Sequence, residues 1–236
     1  MGVVLLSEED LDIADYVTNF MNSRSEILGL KIKELIEEYF IKFVNWITTK
    51  GETTISCSKL ALVKIGLSQM TRVTNKYGFI VAIINGLGQL LQADFRELFA
   101  QEVYDWLKEP PPPLILKSRH NVERDMIDSY VTNPNITVVN NFGKLPLVET
   151  GKISQCLDIL KVWLDNKKDN HVLLIGAYGS AKSLIVKKLV ENFDADILVF
   201  NCSGNTQPNY VKNKLSEYCI SVNTNRGRQV GHKYLN

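Results

Sequence analysis

Eight consecutive residues carry the clearest chemical signal in the chain: Gly176, Ala177, Tyr178, Gly179, Ser180, Ala181, Lys182 and Ser183. Their spacing follows the phosphate-loop pattern G-x4-G-K-S/T at every position but one. The wholly apolar run HVLLIG leads into them, and a helix-forming stretch runs from Ser183 to about Asn192. In such a loop the backbone N–H groups wrap phosphate oxygens, and the helix N-terminus adds its partial positive charge. A lysine at position 182 reaches the β- and γ-phosphates, and the Ser183 hydroxyl ligates Mg²⁺. The candidate nucleotide-binding residues are therefore Gly176 to Ser183 together with Leu184. Ser183 is the candidate metal ligand, and ATP or ADP with Mg²⁺ are the expected cofactors.

The departure is Ala181, which stands where the second glycine belongs. That position often takes a positive φ, which costs alanine roughly 1 kcal/mol. Some ATPases nonetheless use G-x-x-G-x-A-K-S. Two other readings stay open: a loop that holds nucleotide without hydrolysing it, and a strand-turn-helix with an incidental lysine. A second nucleotide-site element is missing. No apolar strand after Ser183 ends in Asp or Asp-Glu, which would hold the metal and orient the attacking water. DILVFN ends in Asn201 and CISVN in Asn223. No catalytic residue is assigned, and whether the chain is an enzyme by itself stays open. Two short strands are too few for a central parallel sheet, so the chain reads as a piece of a larger domain, cut before that second element.

The elements that must position the loop follow from periodicity. HVLLIG and DILVFN (196–201) read as strands buried on both faces. SQCLDILKVWLDNKK, from Ser154, reads as an amphipathic helix, and another runs from Pro208 to about Tyr218. Strand-helix-strand-helix predicts a parallel α/β sheet with right-handed crossovers. Upstream, nearly everything reads as helix. Ser7 is placed to cap a helix starting at Glu8, with three acidic residues in its first turn. Residues 27–47 repeat apolar positions at three and four (Leu28, Ile32, Leu35, Ile36, Tyr39, Phe43, Trp46), with Glu34, Glu37, Glu38 and Lys42 on a solvated face. Further helices fit Ser58 to Val73, Lys76 to Leu91, and a stretch opening with Asp94 and Glu97 as a capping box and running to Trp106. Trp46 and Trp106 are core residues.

Four consecutive prolines, Pro110 to Pro113, form a stiff polyproline II run that ends any helix before it. They divide the chain into a helical domain (1–110), a linker and lead-in segment (111–150) and the start of the phosphate-loop domain (151–236). Residues 114–131 read as a short helix or an extended segment, and 133–150 as turns alternating with β-branched residues. His120, among charges and without a partner at metal spacing, reads as a surface residue. Gly204 to Thr206 lie where nucleotide-sensing residues can sit, but loop polarity alone accounts for them. Arg226 and Arg228 read as a surface hairpin.

Composition narrows the remaining classes. The chain has 236 residues, 27 Lys+Arg against 26 Asp+Glu, and 45% hydrophobic residues. A formal charge of +1 gives no electrostatic case for nucleic acid or an anionic membrane. No apolar run approaches the roughly 18 residues of a spanning helix. MGVVLLSEED lacks a signal peptide's basic region and cleavage site, and Leu6 stands where myristoylation needs Ser or Thr. The four cysteines, Cys57, Cys156, Cys202 and Cys219, have no zinc or redox spacing and read as reduced, mostly packing thiols of the cytosol. The sequons at Asn135 and Asn201 then read as chance matches.

Four stretches resemble dynein heavy chains, in detail those of the intraflagellar transport branch. GVVLLSEEDLD (2–12) resembles the segment after the core of their second AAA+ module. FRELFAQEVYDWLKEPPPP (95–113) resembles the helix that closes that module's lid. LPLVETGKISQCLDILKVWLDNKKDNHVLLIG (145–176) resembles the first helix and strand of the third module. FNCSGNTQPNYVKNKLSEYCISVNTNRGRQVG (200–231) resembles the strand, Cys-Ser-x-x-Thr segment, helix and charged hairpin that follow. The resemblance implies an α/β fold: a partial P-loop AAA+ parallel sheet behind an all-α, lid-like domain. It implies a regulatory nucleotide site at Lys182 and Ser183 that biases ring conformation and so microtubule release. It places the chain in a minus-end-directed motor for retrograde transport in the cytoplasm, cytoskeleton and ciliary axoneme. The implied partners are the other AAA+ modules of the same heavy chain, with light chains, intermediate chains and microtubules reached only through the full-length motor. The alternatives are an AAA+ ATPase of the minichromosome-maintenance or MoxR type, or a non-catalytic interaction domain with a vestigial loop.

Overall fold

Three helices of the N-terminal region start where a side chain satisfies an otherwise unpaired N–H, and the helices continue while apolar residues recur on one face. The computed structural model describes residues 12–24, 28–131, 150–165, 171–190, 198–224 and 227–232. Helix α1 (Ile13–Ser23) is capped by Asp12, whose Oδ1 accepts from the Ala14 N–H at 2.8 Å. The start expected at Ser7 and Glu8 lies outside the described residues. α2 (Leu30–Leu35), a π-helical turn (Ile36–Phe40) and α3 (Ile41–Lys50) follow without a break. The apolar stripe crosses the wider turn intact, from Ile32 and Ile36 to Phe40, Phe43 and Ile47, all buried. α4 (Lys59–Ser68) is capped by Ser58 and tightens into a 3₁₀ turn at Gln69–Arg72. α5 (Lys76–Gly86) is capped by Asn75, and α6 spans Ala93–Leu107.

The predicted capping box at Asp94 and Glu97 does not form. Gln92 precedes the first helical residue without a side-chain cap bond. Its own N–H donates to the Glu52 carbonyl at 2.8 Å, and Leu91 bridges Thr53, so the chain is still extended there. Asp94 sits in the first turn, where its charge favours the helix dipole. At the other end Lys108 takes the left-handed conformation (φ 54°) that usually falls to glycine.

These helices share one core. Phe43 stacks on Trp106 with centroids 5.1 Å apart and meets Phe99 edge-on at 6.0 Å. Trp46 tilts against Phe99 at 5.3 Å. Trp46 is buried, and Trp106 packs half-buried against the cluster. Fully burying each large apolar side chain contributes roughly 1.5–3 kcal/mol. Gly66 lets α4 approach closely: a Cβ there would lie 2.9 Å from both Leu87 Cδ2 and Phe40 Cε2.

After the prolines the chain returns to this core. Ile115 is buried in it, and Leu116 and Ile127 pack against it. Residues 118–129 form an antiparallel hairpin, β1 (Ser118–Asn121) with β2 (Met126–Ser129), and not a helix. Asp125, at φ 47°, makes the reversal. His120 is not a surface residue: its side chain is only 14% exposed. Its Nε2 lies 3.0 Å from Asn75 Nδ2 and 3.3 Å from Asp125 Oδ1, and Asn75 also donates to Asp125. The hairpin is thereby tied to the residue that caps α5.

α7 (Gly151–Asp165) docks on the same unit through polar contacts. Gln155 is buried, and its Nε2 donates to Asn85 Oδ1 at 3.0 Å and to the Leu116 carbonyl at 2.8 Å. Gln69 Nε2 donates to the Ile159 carbonyl, Trp163 Nε1 to Ser68 Oγ at 2.7 Å, and the Tyr130 phenol to Asp158 Oδ2 at 2.7 Å. Burial, then the Asp158 carboxylate, raise the Tyr130 pKa and keep that phenol protonated.

Contacts group residues up to Asn192 into one unit and residues from Phe193 into a second. The second holds α9 (Pro208–Tyr218), with proline in its first turn, and an antiparallel hairpin of β3 (Cys219–Thr224) and β4 (Gly227–His232). The predicted parallel sheet is not formed among the described residues. Among the described residues the ladders are the two antiparallel hairpins, and neither HVLLIG nor residues 198–201 joins one. A central parallel strand is held by neighbours on both edges, and the described residues supply none. The remainder of DILVFN, residues 132–149 and Arg226 lie outside the described residues. All four cysteines are free, and Cys202 is exposed, not packed.

Candidate functional site

The loop is built from its two flanks. Residues 171–177 have no ladder partner among the described residues, and burial alternates over 171–175. Val172 and Leu174 are half-buried and face a groove shared with Cys156, Ile159, Leu160 and Trp163 of α7. Leu173 (79% exposed) and Ile175 (65%) border the same groove but stay largely exposed. The run is thus covered in part, where burial on both faces was expected. On the far flank α8 (Lys182–Val190) packs on α7 and buries Ile185 and Leu189. Its first intrahelical bond runs from the Ile185 N–H to the Ala181 carbonyl at 2.9 Å. Lys182 and Ser183 therefore open the helix, with their own N–H groups unpaired within it.

Between the flanks the chain reverses at Tyr178 to Ser180. Gly179 has φ 77° and Ala181 φ 59°. The left-handed conformation expected at the second glycine position is thus present, and alanine adopts it. A Cβ at Gly176 would lie 2.8 Å from Ser180 Oγ, so a side chain there would have to displace that hydroxyl. Lys182 folds back over the loop: its Nζ donates to the carbonyls of Gly176 (2.8 Å) and Ala177 (2.7 Å) and to Ser180 Oγ (3.2 Å). Ser180 Oγ in turn donates to the Ala177 carbonyl at 2.7 Å. Tyr178 is fully exposed at the tip, Ser183 is exposed, and Leu184 is half-buried.

The nine candidate residues, 176–184, thus span the end of the run, the turn and the first three residues of α8. The donor set fits a polyphosphate: an ammonium, helical N–H groups and a backbone that only glycine or a strained residue can follow. For Mg²⁺ the fit is one ligand, the Ser183 hydroxyl. Among the described residues no group of three His, Cys, Asp or Glu side chains is placed to hold a metal. Gly204 to Thr206 form a separate exposed turn, in which the Ser203 N–H donates to Thr206 Oγ1 at 2.7 Å.

Two features were not read from sequence. Ser180 was read as one of the nucleotide-binding loop residues, but not as the anchor of Lys182. Its direction depends on the turn, and turn geometry leaves no periodic signature. The polar docking of α7 did leave one, the glutamine at 155 within an apolar helical face.

Comparison with known proteins adds to this geometry. Residues 12–107 match the family described as the AAA+ ATPase domain of cytoplasmic dynein 2 heavy chain 1. Proteins named cytoplasmic dynein 2 heavy chain 1 align over 97% of this chain: those of Tripneustes gratilla and Homo sapiens at 26% identity over 235 residues, and that of Caenorhabditis elegans at 24% over 234. The chain spans only 5–6% of the length of these relatives. An AAA+ ATPase domain implies nucleotide binding in general terms, and no described helix is long and apolar enough to cross a membrane. Over nearly its whole length, the chain is recognised as similar to a segment of the cytoplasmic dynein 2 heavy chains.

Proposed function

We propose that residues 176–184 are a regulatory nucleotide-binding loop of an AAA+ module within a dynein heavy-chain ring. Residues 1–110 are the lid of the preceding, second module, 111–150 the lead-in, and 151–236 the start of the third module's large domain. The loop holds ATP or ADP: helix α8 and the loop backbone grip the phosphates, Lys182 neutralises them, and Ser183 offers its hydroxyl to Mg²⁺. Bound nucleotide supplies anionic oxygens that tie the loop to α8. Occupancy then favours one arrangement of the ring over another, as far as the nucleotide prefers it. In the full-length protein this serves a minus-end-directed microtubule motor for retrograde intraflagellar transport in cilia.

The carrying observation is the loop itself, with Gly179 and Ala181 both left-handed and Lys182 at the first turn of α8. The test is equilibrium binding of a fluorescent ADP or ATP analogue, with Mg²⁺, to the 236-residue chain and its Lys182→Ala variant. Saturable binding weakened at least about tenfold in the variant is expected, as for loss of a charge-assisted contact. Equal binding by both proteins, or none by either, would return the loop to a vestigial role in an interaction domain.

A further inference from the structure

A lysine ammonium has three N–H donors and no acceptor. In this loop all three are used. Nζ of Lys182 donates to the Gly176 carbonyl, the Ala177 carbonyl and Ser180 Oγ, at 2.8, 2.7 and 3.2 Å. No donor is left for a phosphate oxygen in this arrangement. The third acceptor is a side chain, and it is fixed by a bond of its own. The Ser180 hydroxyl proton goes to the Ala177 carbonyl at 2.7 Å, which turns the oxygen lone pairs toward Lys182. The same oxygen lies over the Cα of Gly176, in space that a side chain there would fill. The Ser180 N–H also points to the Ala177 carbonyl, at 3.3 Å. One serine thus closes the turn and holds the cation inside it.

We propose that Ser180 is a positioning residue that latches Lys182 onto the loop's own carbonyls, so that phosphate enters only when the latch opens. This rests on the nucleotide reading above. A closed loop binds with an affinity reduced by the fraction of time it is open. The latch therefore sets how much nucleotide is needed to fill the site, separately from the contacts made once it is filled.

The test uses the full 236-residue chain, its Ser180→Ala variant and a Ser180→Thr variant that keeps the hydroxyl. Two quantities are read. The first is the acetylation rate of Lys182 by acetic anhydride, measured by peptide mass spectrometry against exposed Lys212 in the same molecule. The second is the association rate of a fluorescent ADP analogue. Loss of one hydrogen bond to a charged group should raise both about threefold to tenfold in Ser180→Ala. Ser180→Thr should stay near the parent values. Unchanged Lys182 acetylation in Ser180→Ala overturns the latch, whatever the nucleotide does. Faster acetylation with an unchanged association rate overturns its control of phosphate entry. Faster acetylation with no nucleotide binding by any of the three proteins overturns the nucleotide reading, and the latch's function with it.

Discussion

Phe43 and Leu173 both belong to strongly apolar stretches, but Phe43 is 0% exposed and Leu173 is 79% exposed. The helical region satisfies its backbone within each helix, so it needs only an apolar stripe at the right spacing to build a core with its neighbours. The run HVLLIG must find backbone partners on both edges before its faces can be covered, and among the described residues it has neither. The same hydrophobicity therefore has a different worth in the two regions. In the first it makes a core from local sequence; in the second it finds no backbone partner among the described residues.

The largest expected effect lies in the first region. Phe43→Ala should destabilise the chain by about 3–5 kcal/mol, because it removes a ring packed on Trp106 and Phe99 and leaves a cavity. Urea unfolding followed by far-UV circular dichroism measures this, and a loss below about 1 kcal/mol would erase the contrast. An intermediate effect belongs to the loop. Ala181→Gly relieves a left-handed alanine at φ 59°, worth roughly 1 kcal/mol. Because the alanine is left-handed without ligand, the relief should raise unfolding stability by up to about 1 kcal/mol and leave nucleotide affinity within about twofold, read by urea unfolding and by titration with the fluorescent analogue. Weaker binding would mean that the strained conformation is itself needed by the ligand. The smallest effect is at Leu173. Leu173→Lys should change unfolding stability by no more than about 0.5 kcal/mol, as for an ordinary surface position. A loss above about 2 kcal/mol would show that this face is covered in solution and sharpen the comparison in the opposite direction.

What could be read from the residues follows the same division. Apolar spacing located the helices around Ile32, Ile36 and Phe43, and Ser58 marked the start of α4 because a side-chain cap is a local interaction. The turn at 178–181 and the helix start at Lys182 were legible because the phosphate-loop pattern is a statement about backbone conformation, and even the left-handed φ at the Ala181 position could be anticipated. The hairpin at 118–129 was hidden because its reversal uses Asp125 in place of glycine. His120 was misread because its partners, Asn75 and Asp125, are 45 residues before it and 5 after it. Register and docking between distant segments are set by tertiary geometry, which single-sequence periodicity does not carry. The parallel sheet was inferred from apolar runs alone, and such runs specify hydrophobicity without specifying who pairs with them.

Trp163 gives the docking of α7 an optical consequence. Its indole N–H is bonded to Ser68 Oγ, 95 residues away, while that of buried Trp46 has no acceptor among the described residues. An indole's emission shifts with the polarity and hydrogen bonding around its ring, so these two tryptophans should emit at different wavelengths. The Trp163 ring also lines the groove beneath Val172 and Leu174. A light signal from this side chain would therefore follow the seating of the segment that leads into the phosphate loop, without any label being attached.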